Sequence, residues 1–460
     1  MISRELLEKY NQSLPRYTSY PPANYFTQGI DGEQYKQLLT ASNTMQPENI
    51  SLYVHIPFCH KICFYCGCNS VKYPRINSVD SYIDALVKEI KMVRATLDPS
   101  RKVSQLHYGG GTPNAIPVEH IERINKLIFD EFQFIEEPEI AIECHPAHLT
   151  DEYMERLVRN CKFNRFSLGI QDFDLKVLKT ANREPSKLPL DYLTNFLRSL
   201  DPGIKINFDF IYGLPHQTVE SFTASIRQAL PYSPDRIVTF SYAHVPWFKK
   251  HQLALERAGL PDPETKIRIF ESAYKTLLEN GYSDIGMDHY AKGDDELLLA
   301  LKNNELHRNF QGYCTRRTTG QVYAFGVSSI SQLRDSYIQN TKDLGEYVSK
   351  INNDEFPVEK GYRLTFDETV VREVIDHIMC NRFLEWDEIA ERFSLTRKEL
   401  KDITGFKEEK AAGLISDGIL DVSDDVITIT DKGRFFIRNI AVLFDPALAA
   451  PTDKKFSKTV

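Results

Sequence analysis

Four of the eight cysteines in this 460-residue chain fall within ten residues, in the segment Cys59-His-Lys-Ile-Cys63-Phe-Tyr-Cys66-Gly-Cys68. Thiolates are iron and zinc ligands, and three of them at the spacing C-x3-C-x2-C on one short loop can bind three irons of a 4Fe-4S cluster. The fourth iron then has no protein thiolate unless Cys68 or a distant cysteine supplies one. An iron with no protein thiolate has an open coordination position, which implies a ligand that also takes part in the reaction.

Two other interpretations fit the same cysteines. A zinc site would be tetrahedral and would usually take a second pair of ligands from elsewhere in the chain, and four structural thiols would bind no metal. A disulfide framework belongs to shorter secreted chains with more evenly spaced cysteines. The spacing favours a cluster in a reducing compartment.

The elements that must position these thiols alternate along the chain from about residue 50 to 290. Short β-rich runs there are followed by helical runs with apolar residues at three- and four-residue spacing. The predicted strands are 51–56, 103–108, 138–143, 163–170, 204–211 and 236–243. Such alternation predicts a parallel sheet covered by helices, either doubly wound or closed into an open, incomplete barrel.

Both architectures place chemistry at the carboxyl ends of the strands, and polar residues and glycines stand there in this chain. The cysteine loop follows the first strand. The ends of the other strands carry Gly109 to Pro113, Glu143, Gln171 with Asp172, Asp209, and Ala243 with His244. Because side chains alternate along a strand, Tyr53 and His55 are expected to share a face directed into the lumen.

Composition limits the function further. The chain is 42% apolar with 56 basic and 64 acidic residues, a formal net charge of −8. It shows no apolar run near the roughly 18 residues that cross a bilayer, and its first residues contain Glu5 and Glu8 where a signal peptide would be apolar. A cytoplasmic protein with neither membrane nor nucleic acid as partner is therefore expected.

Two segments lie outside the alternating region. Residues 1–45 contain Pro15-Arg16-Tyr17-Thr18-Ser19-Tyr20-Pro21, a composition that predicts an extended strap over the active site. Residues 46–360 form the predicted catalytic domain. Residues 361–460 predict a smaller, mostly helical domain of winged-helix type, with a hairpin at 419–422 and 426–430 and a helix at 431–443. Its 15 basic and 19 acidic side chains argue against DNA binding.

The cysteine loop resembles that of the radical S-adenosylmethionine (AdoMet) enzymes, which carry an aromatic residue, here Tyr65, before the last cysteine of C-x3-C-x2-C. Further strings resemble one branch, the oxygen-independent coproporphyrinogen III oxidases (coproporphyrinogen III dehydrogenases), over nearly the whole chain. These strings are KYNQSLPRYTSYP, LYVHIPFCHKICFYCGCN, QLHYGGGTP, GIQDF, NFDFIYGLP, GMDHYA, LHRNFQGY and GRFFIRNI.

The resemblance implies an α/β fold, a partial (β/α)6 TIM-like barrel holding one 4Fe-4S cluster and AdoMet. It implies oxidative decarboxylation of coproporphyrinogen III to protoporphyrinogen IX in haem biosynthesis, without oxygen. A 5′-deoxyadenosyl radical would abstract a β-hydrogen from the propionates of rings A and B. An electron donor such as flavodoxin or ferredoxin would reduce the cluster, and a monomer is expected.

The resemblance also assigns site residues by position. Cys59, Cys63 and Cys66 would bind the cluster, and Cys68 would accompany them without binding iron. Tyr53, Gly110, Glu143 and Ile330 would surround the cluster-bound AdoMet. A second AdoMet would contact Tyr65, Gly111, Thr112, Gln171, Arg183, Asp209 and Ala243. The catalytic assignments are Tyr53, His55 and Gln311.

Each assignment has a structural alternative. Asp209 or Glu143 can accept hydrogen bonds from ribose hydroxyls and Arg183 can bind a carboxylate, yet each could equally be a satisfied polar residue at a strand end. The two glycines could form an ordinary tight turn. For the substrate's four propionates, the candidate cations are Arg16, Lys292 and Arg308, beside the aromatic residues Tyr17, Tyr20, Tyr290 and Phe310.

Departures from the family pattern leave rivals open. Tyr65 stands where phenylalanine is usual, Cys144-His145 follows Glu143, and Cys314 replaces a common threonine. The rivals within the superfamily are a haem chaperone and an anaerobic haem-degrading methyltransferase. An iron-sulfur electron carrier or DNA-binding regulator is a rival from a different class.

The ligand assignment predicts the colour of the reconstituted protein. Cys59→Ser, Cys63→Ser or Cys66→Ser should each abolish the brown chromophore after anaerobic reconstitution, because a serine hydroxyl does not replace a thiolate on iron. Cys68→Ser should retain it. A surviving 4Fe-4S absorption spectrum in Cys66→Ser would contradict the assignment.

Overall fold

A computed structural model describes residues 2–73, 76–315, 320–448 and 453–459. The chain divides into two compact units. The barrel unit consists of residues 26–260 and 316–363, and the second unit consists of residues 1–25, 261–315 and 364–460. The domain limits expected from the sequence, 1–45, 46–360 and 361–460, remain predictions.

The described strands are β1 (Ile50–Ile56), β2 (Phe58–Cys59), β3 (Val71–Lys72), β4 (Lys102–Gly110), β5 (Gln133–Cys144), β6 (Arg165–Gln171), β7 (Lys205–Tyr212), β8 (Arg236–Ser241), β9 (Ser283–Gly286), β10 (His289–Ala291), β11 (Leu306–Asn309), β12 (Gly312–Thr315), β13 (Val322–Phe325), β14 (Ile330–Gln332), β15 (Ser336–Asn340), β16 (Val358–Arg363), β17 (Phe383–Glu385), β18 (Leu420–Val422) and β19 (Val426–Ile429).

The described α-helices are α1 (Arg4–Tyr10), α2 (Gly32–Ser42), α3 (Ile76–Arg94), α4 (Val118–Glu131), α5 (Asp151–Arg159), α6 (Leu175–Thr180), α7 (Leu190–Leu200), α8 (Val219–Ala229), α9 (Leu253–Ala258), α10 (Pro263–Glu279), α11 (Glu296–Lys302), α12 (Leu344–Asn352), α13 (Phe366–Asn381), α14 (Trp386–Arg392), α15 (Arg397–Thr404), α16 (Glu408–Ser416) and α17 (Ile437–Ala441). Within the described ranges, no helix combines the length and apolar character needed to cross a bilayer.

The central sheet of the barrel unit is parallel through the strands predicted from the sequence. Its order is β1-β4-β5-β6-β7-β8, so each strand lies beside the one before it. A doubly wound sheet would reverse its strand order at one point, and this sequential order is that of a partial barrel. The predicted α/β barrel is therefore confirmed.

On the other side of β1, the sheet is extended by β13 in parallel and then by β14, β15 and β16 in antiparallel pairing. Helices cover the sheet with the apolar faces that their spacing predicts. Tyr82, Leu86, Ile90 and Val93 of α3 are fully buried, and the isoleucines of α4 are as well. This burial supplies the hydrophobic free energy of the unit.

One buried carboxylate interrupts that apolar interface. Glu89 of α3 is 1% exposed, and its two oxygens accept from the backbone N–H of Gly326 at 2.7 Å, Asn340 Nδ2 at 2.6 Å and the Tyr347 hydroxyl at 2.6 Å. The neighbouring Tyr82 hydroxyl donates to the His55 carbonyl at 2.6 Å. Burial raises the pKa of Glu89 to about 7. These bonds fix the turn after β13 to α3.

The second unit contains the proline-rich N-terminal stretch and the chain's C-terminal part. Residues 11 to 22 are non-helical, as predicted. Tyr17 donates to Asp445 Oδ2 at 2.9 Å, and Arg438 Nε donates to the Pro15 carbonyl at 2.9 Å. The two chain ends therefore bind each other within this unit.

The C-terminal hairpin is confirmed, since β18 pairs antiparallel with β19, and β17 completes a three-stranded sheet. The prediction of one continuous helix at 431–443 is wrong. The structure has a 3-10 turn at Gly433–Phe436, the α-helix only at Ile437–Ala441, and a second 3-10 turn at Val442–Phe444. The Thr430 hydroxyl accepts from Gly433 N–H and holds the first turn against the hairpin. The winged-helix arrangement stays a prediction.

Glu89 gives stability a predictable pH dependence. Folding raises the pKa of Glu89 to about 7, above its value in the unfolded chain. Between the unfolded-state and folded-state pKa values, the folded chain binds more protons than the unfolded chain. The free energy of unfolding therefore falls as the pH rises toward about 7. The stability of the wild type relative to Glu89→Gln should fall by up to about 3 kcal/mol between pH 5 and 8. Thermal unfolding of both proteins across that range measures it, and a pH-independent difference would contradict it.

Candidate functional site

The cysteine loop begins where β1 ends, and its first and last residues pair with each other. β2 pairs in parallel with β3, the Val71 N–H donates to the Pro57 carbonyl at 2.8 Å, and the Tyr73 N–H donates to the Cys59 carbonyl at 2.7 Å. The segment between these strands has no extended regular structure of its own. Its thiols are therefore positioned by contacts with neighbouring loops.

The three predicted ligands lie on that segment, each beside a polar side chain. Cys59 Sγ lies 3.3 Å from the Thr112 hydroxyl, Cys63 Sγ is 4.0 Å from Arg183 Nη1, and Cys66 Sγ is 3.8 Å from the Ser70 hydroxyl. Such donors stabilise a thiolate or a cluster sulfur. Thr112 and Arg183, predicted from the resemblance, are thus placed at the cysteine loop.

The thiols differ in acidity. A hydrogen bond from the Cys68 thiol lowers the pKa of Cys66 to about 6, whereas burial raises the pKa of Cys59 to about 11. Each thiol must lose its proton to bind iron, and the raised pKa makes this harder for Cys59 than for Cys66. The Cys68 side chain is exposed.

Backbone groups of the loop are bound by several side chains that the sequence did not predict, although they lie close to Arg183 and Ala243. After α6, Asn182 Nδ2 donates to the Ile62 carbonyl at 2.7 Å, and the Phe64 N–H donates to the Ala181 carbonyl at 3.0 Å. These two bonds fix the first half of the loop to the segment that also carries Arg183.

The second half is held by the segment after β8. Lys249 Nζ donates to the Cys68 carbonyl at 2.7 Å, His251 Nε2 to the Cys66 carbonyl at 2.8 Å and Gln252 Nε2 to the Tyr65 carbonyl at 3.1 Å. The same Gln252 amide donates to the Ala243 carbonyl at 3.2 Å. The predicted residues Tyr65 and Ala243 are therefore joined through one side chain.

The glycine run after β4 packs directly on the start of the cysteine loop. A Cβ on Gly111 would stand 2.5 Å from the Pro57 carbonyl oxygen and 3.0 Å from Cys59 Sγ. Gly110 has φ +117°, and a Cβ there would overlap the His55 ring at 2.7 Å. The protein's own atoms thus require both glycines, in addition to any role beside AdoMet.

Tyr53 and His55 share one face of β1, as predicted. The Tyr53 hydroxyl donates to His55 Nδ1 at 3.2 Å, and His55 Nε2 donates to the Asn69 carbonyl at 3.1 Å. Burial lowers the pKa of His55 and, with the nearby Glu143 charge, raises that of Tyr53. The neutral imidazole therefore links the barrel wall to the end of the cysteine loop.

Glu143 stands near the end of β5 with one oxygen 3.1 Å from His107 Nε2. Its side chain is 44% exposed, so it is accessible to a ligand. Gly109 leaves room for this carboxylate and the Tyr53 hydroxyl, because a Cβ there would lie 2.8 Å and 3.0 Å from them. The structure thus brings Tyr53 and Glu143 together.

Asp209 of β7 accepts from the Ser167 hydroxyl at 2.5 Å. Burial raises the pKa of Asp209 to about 7, so the carboxyl is poised between its neutral and charged forms near neutral pH. A ligand's cation or hydroxyl would favour the charged form. The residue is therefore suited to binding a polar ligand.

Gln171 and Arg183 contain buried polar atoms with no hydrogen-bond partner in the part of the chain that the structure describes. These atoms are Gln171 Oε1 and Arg183 Nε. Gln171 has φ +71°, and both side chains lie over Gly169, whose carbonyl accepts from Arg183 Nη2. An unpaired donor and acceptor in a buried place cost free energy unless a ligand pairs with them.

Two predicted residues are on other elements of the chain. Ile330 is the first residue of β14, on the antiparallel side of the sheet. Gln311 lies in the second unit, at the turn between β11 and β12, where its N–H donates to Asn309 Oδ1 at 2.8 Å. Their assignment to the site stays a prediction.

The substrate candidates in the second unit are engaged in internal contacts. Arg308 is 8% exposed, and its Nη1 donates to the Arg16 carbonyl at 2.6 Å. Tyr17, Tyr20 and Tyr290 are buried as well. Their role toward propionates stays a prediction.

The donor set fits a cluster. Across the described residues, no three His, Cys, Asp or Glu side chains form a group suited to a single metal ion. Cluster thiolates bind separate irons and need not converge on one point. Three cysteines on one braced loop, with the unpaired atoms of Gln171 and Arg183 nearby, match a cluster with a polar ligand beside it.

Comparison with known proteins decides the family. A model of the radical SAM superfamily matches residues 53–229. The chain is 39% identical over 461 residues to the oxygen-independent coproporphyrinogen III oxidase of Synechocystis, covering 100% of this chain and 98% of that protein. It is 40% identical to the Escherichia coli protein of the same name, covering 96% and 95%. The chain belongs to the oxygen-independent coproporphyrinogen III oxidases.

A solved structure agrees with this assignment. The coproporphyrinogen III oxidase of Escherichia coli, described as a radical SAM enzyme, superposes with a TM-score of 0.87 at 38% identity and covers 95% of this chain and 100% of that chain. The barrel fold and the membership in the radical SAM oxidoreductases are confirmed. As a radical SAM family member, this coproporphyrinogen III oxidase homologue takes a 4Fe-4S cluster and AdoMet.

The contact at Gly111 predicts a test of the loop's geometry. Gly111→Ala should reduce the iron bound after reconstitution at least twofold, because the new methyl group would displace Pro57 and Cys59. Gly67→Ala is the matched control, since a Cβ on Gly67 has open space around it in the same loop. Iron and sulfide per chain measure the effect, and equal contents in both variants would contradict it.

Proposed function

We propose that the chain converts coproporphyrinogen III to protoporphyrinogen IX by oxygen-independent oxidative decarboxylation. The observation that carries the proposal is the braced cysteine loop at the rim of a parallel barrel, in a chain that matches relatives of that name over its whole length. The same match favours the oxidase over the haem chaperone and the haem-degrading methyltransferase.

Cys59, Cys63 and Cys66 would hold the cluster, each binding one iron. When bound, cluster and AdoMet together supply the one-electron chemistry that generates a hydrogen-abstracting radical. Thr112, Arg183 and Ser70 would donate toward the sulfurs and so favour the reduced state. Burial of Cys59 and Cys63 would limit access of water to that end of the site.

For the AdoMet beside the cluster, Tyr53, Gly110, Glu143 and Ile330 are the proposed contacts. Glu143 can accept hydrogen bonds from the amino group or a ribose hydroxyl, since His107 occupies only part of its capacity. Tyr53 donates to His55 and keeps the neutral imidazole in one tautomer. His55 is thereby a positioning residue for the loop end at Asn69.

A second AdoMet is the finer part of the proposal. Its contacts would be Tyr65, Gly111, Thr112, Gln171, Arg183, Asp209 and Ala243. The support for it is the unpaired Gln171 Oε1 and Arg183 Nε, together with the buried Asp209 carboxyl, because a zwitterionic ligand with hydroxyl groups would satisfy all three. Gln311 stays a proposed catalytic residue.

Loss of each propionate carboxyl as CO2 requires removal of a β-hydrogen atom and then of one electron. We propose a small acidic redox protein as the source of the electron that activates AdoMet. The protein is proposed to act as a cytoplasmic monomer without nucleic-acid partners.

Anaerobic incubation tests this function. With AdoMet, dithionite and coproporphyrinogen III, the reconstituted protein should release CO2 and form a divinyl product, whereas Cys63→Ser should form none. Methylated or opened haem in a parallel incubation with haem would instead support the degrading enzyme. Intact AdoMet under strong reductant would contradict the proposal altogether.

A further inference from the structure

One exposed surface beside the cysteine loop is unlike the rest of the barrel unit. Trp247 and Phe248 are 52% and 61% exposed, and no other exposed large apolar side chains of the described chain are neighbours in sequence. Isolated exposed apolar residues are ordinary, but an adjacent aromatic pair is typical of an interaction site. We name the surface formed by Trp247, Phe248, Lys249, Lys250 and Lys342 the aromatic-lysine patch.

Hydrogen bonds close the turn that carries Trp247, Phe248 and Lys249. The N–H groups of Phe248 and Lys249 both donate to the Val245 carbonyl at 2.9 Å, and the Val245 N–H donates to Gln252 Oε1 at 2.6 Å. A preorganised surface loses little conformational entropy on binding. The aromatic pair is thus presented by an ordered turn.

The patch is also cationic in an acidic chain. Lys249 Nζ and Lys342 Nζ lie 5.1 Å and 5.8 Å from the centre of the Phe248 ring, and Lys250 and Lys342 are exposed. The whole chain carries a formal charge of −8, which repels an acidic protein at long range. The lysines of the patch attract such a protein only at short range. Two carboxylates lie nearby: Glu256 Oε2 is 3.3 Å from His244 Nε2, and Glu359 Oε2 accepts from the Lys342 N–H at 3.2 Å.

The patch reaches the cysteine loop directly. Lys249, which lies over the Phe248 ring, donates to the Cys68 carbonyl at 2.7 Å, and the following His251 donates to the Cys66 carbonyl at 2.8 Å. The surface is therefore one side chain away from the loop that holds the cluster ligands. A protein bound to it would bring its redox group close to them without entering the barrel.

We propose that the aromatic-lysine patch is the docking surface for the electron donor, a small acidic flavin or iron-sulfur protein. The inference rests on the proposed function. In the step served by the patch, the donor is oxidised by one electron and the cluster is reduced by one, with no bond formed or broken. The substrate, which also combines carboxylates with an apolar framework, is the competing occupant that the test must separate.

Two variants of the holoenzyme test the proposal. One is Trp247→Ser with Phe248→Ser, and the other is Lys250→Glu with Lys342→Glu. Lys249 stays unchanged because it holds the Cys68 carbonyl. The matched control is Lys91→Glu with Lys126→Glu, which makes the same change of charge on exposed faces of α3 and α4 in the same unit.

The readout is bleaching of the cluster in stopped flow, with reduced flavodoxin or with dithionite as reductant. Both patch variants should bleach at least tenfold more slowly with flavodoxin, and the lysine variant should also lose the salt dependence of the rate. Their bleaching by dithionite, and the control variant with either reductant, should stay within twofold of the wild type.

Equal flavodoxin rates in the patch variants and the control would overturn the proposal. A raised KM for coproporphyrinogen III in dithionite-driven turnover, with normal flavodoxin rates, would also overturn it and would make the patch a substrate surface. Failure of the proposed function gives a different result. In that case the wild type would leave AdoMet intact in the presence of dithionite, while reduced flavodoxin would still bleach its cluster.

Discussion

The site depends on hydrogen bonds that other segments make to the backbone of the irregular cysteine loop. Between β2 and β3, residues 60–70 have no regular helix or strand to pair their carbonyls, and buried carbonyls require donors. Asn182 holds the first half of the loop, and Lys249, His251 and Gln252 hold the second half. These bonds to the backbone position the thiols, in addition to the side chains of Thr112, Arg183 and Ser70 beside the sulfurs.

The barrel supplies the frame for these contacts. Parallel strands in sequential order bring the segments after β1, β4, β6 and β8 to one rim, so residues far apart in sequence can bind the same loop. The carboxyl groups of Glu143 and Asp209 face that region from neighbouring parts of the sheet, each with one protein donor and capacity for a ligand. The geometry of the site therefore depends on the sheet order as well as on the cysteines.

The sequence was sufficient to predict the strands of the barrel and several site residues. The residues that bind the cysteine loop and the form of the C-terminal helix could not be predicted, for physical reasons. Periodicity predicted the six strands and the shared face of Tyr53 and His55, because burial imposes these patterns locally. Lys249, His251 and Gln252 were missed because a side chain that donates to a distant carbonyl leaves no periodic signal. The helix at 431–443 was expected to be regular, since its apolar spacing does not reveal the hydrogen bond that holds Gly433 to Thr430.

The central claim is that three cysteines of the braced loop hold a cluster whose fourth iron is open to AdoMet. Electron paramagnetic resonance of the reduced, reconstituted protein before and after addition of AdoMet tests it most directly. The account predicts a 4Fe-4S signal that shifts on addition of AdoMet and persists in Cys68→Ser. A signal that AdoMet leaves unchanged, or a reconstituted protein that contains zinc in place of iron, would contradict it.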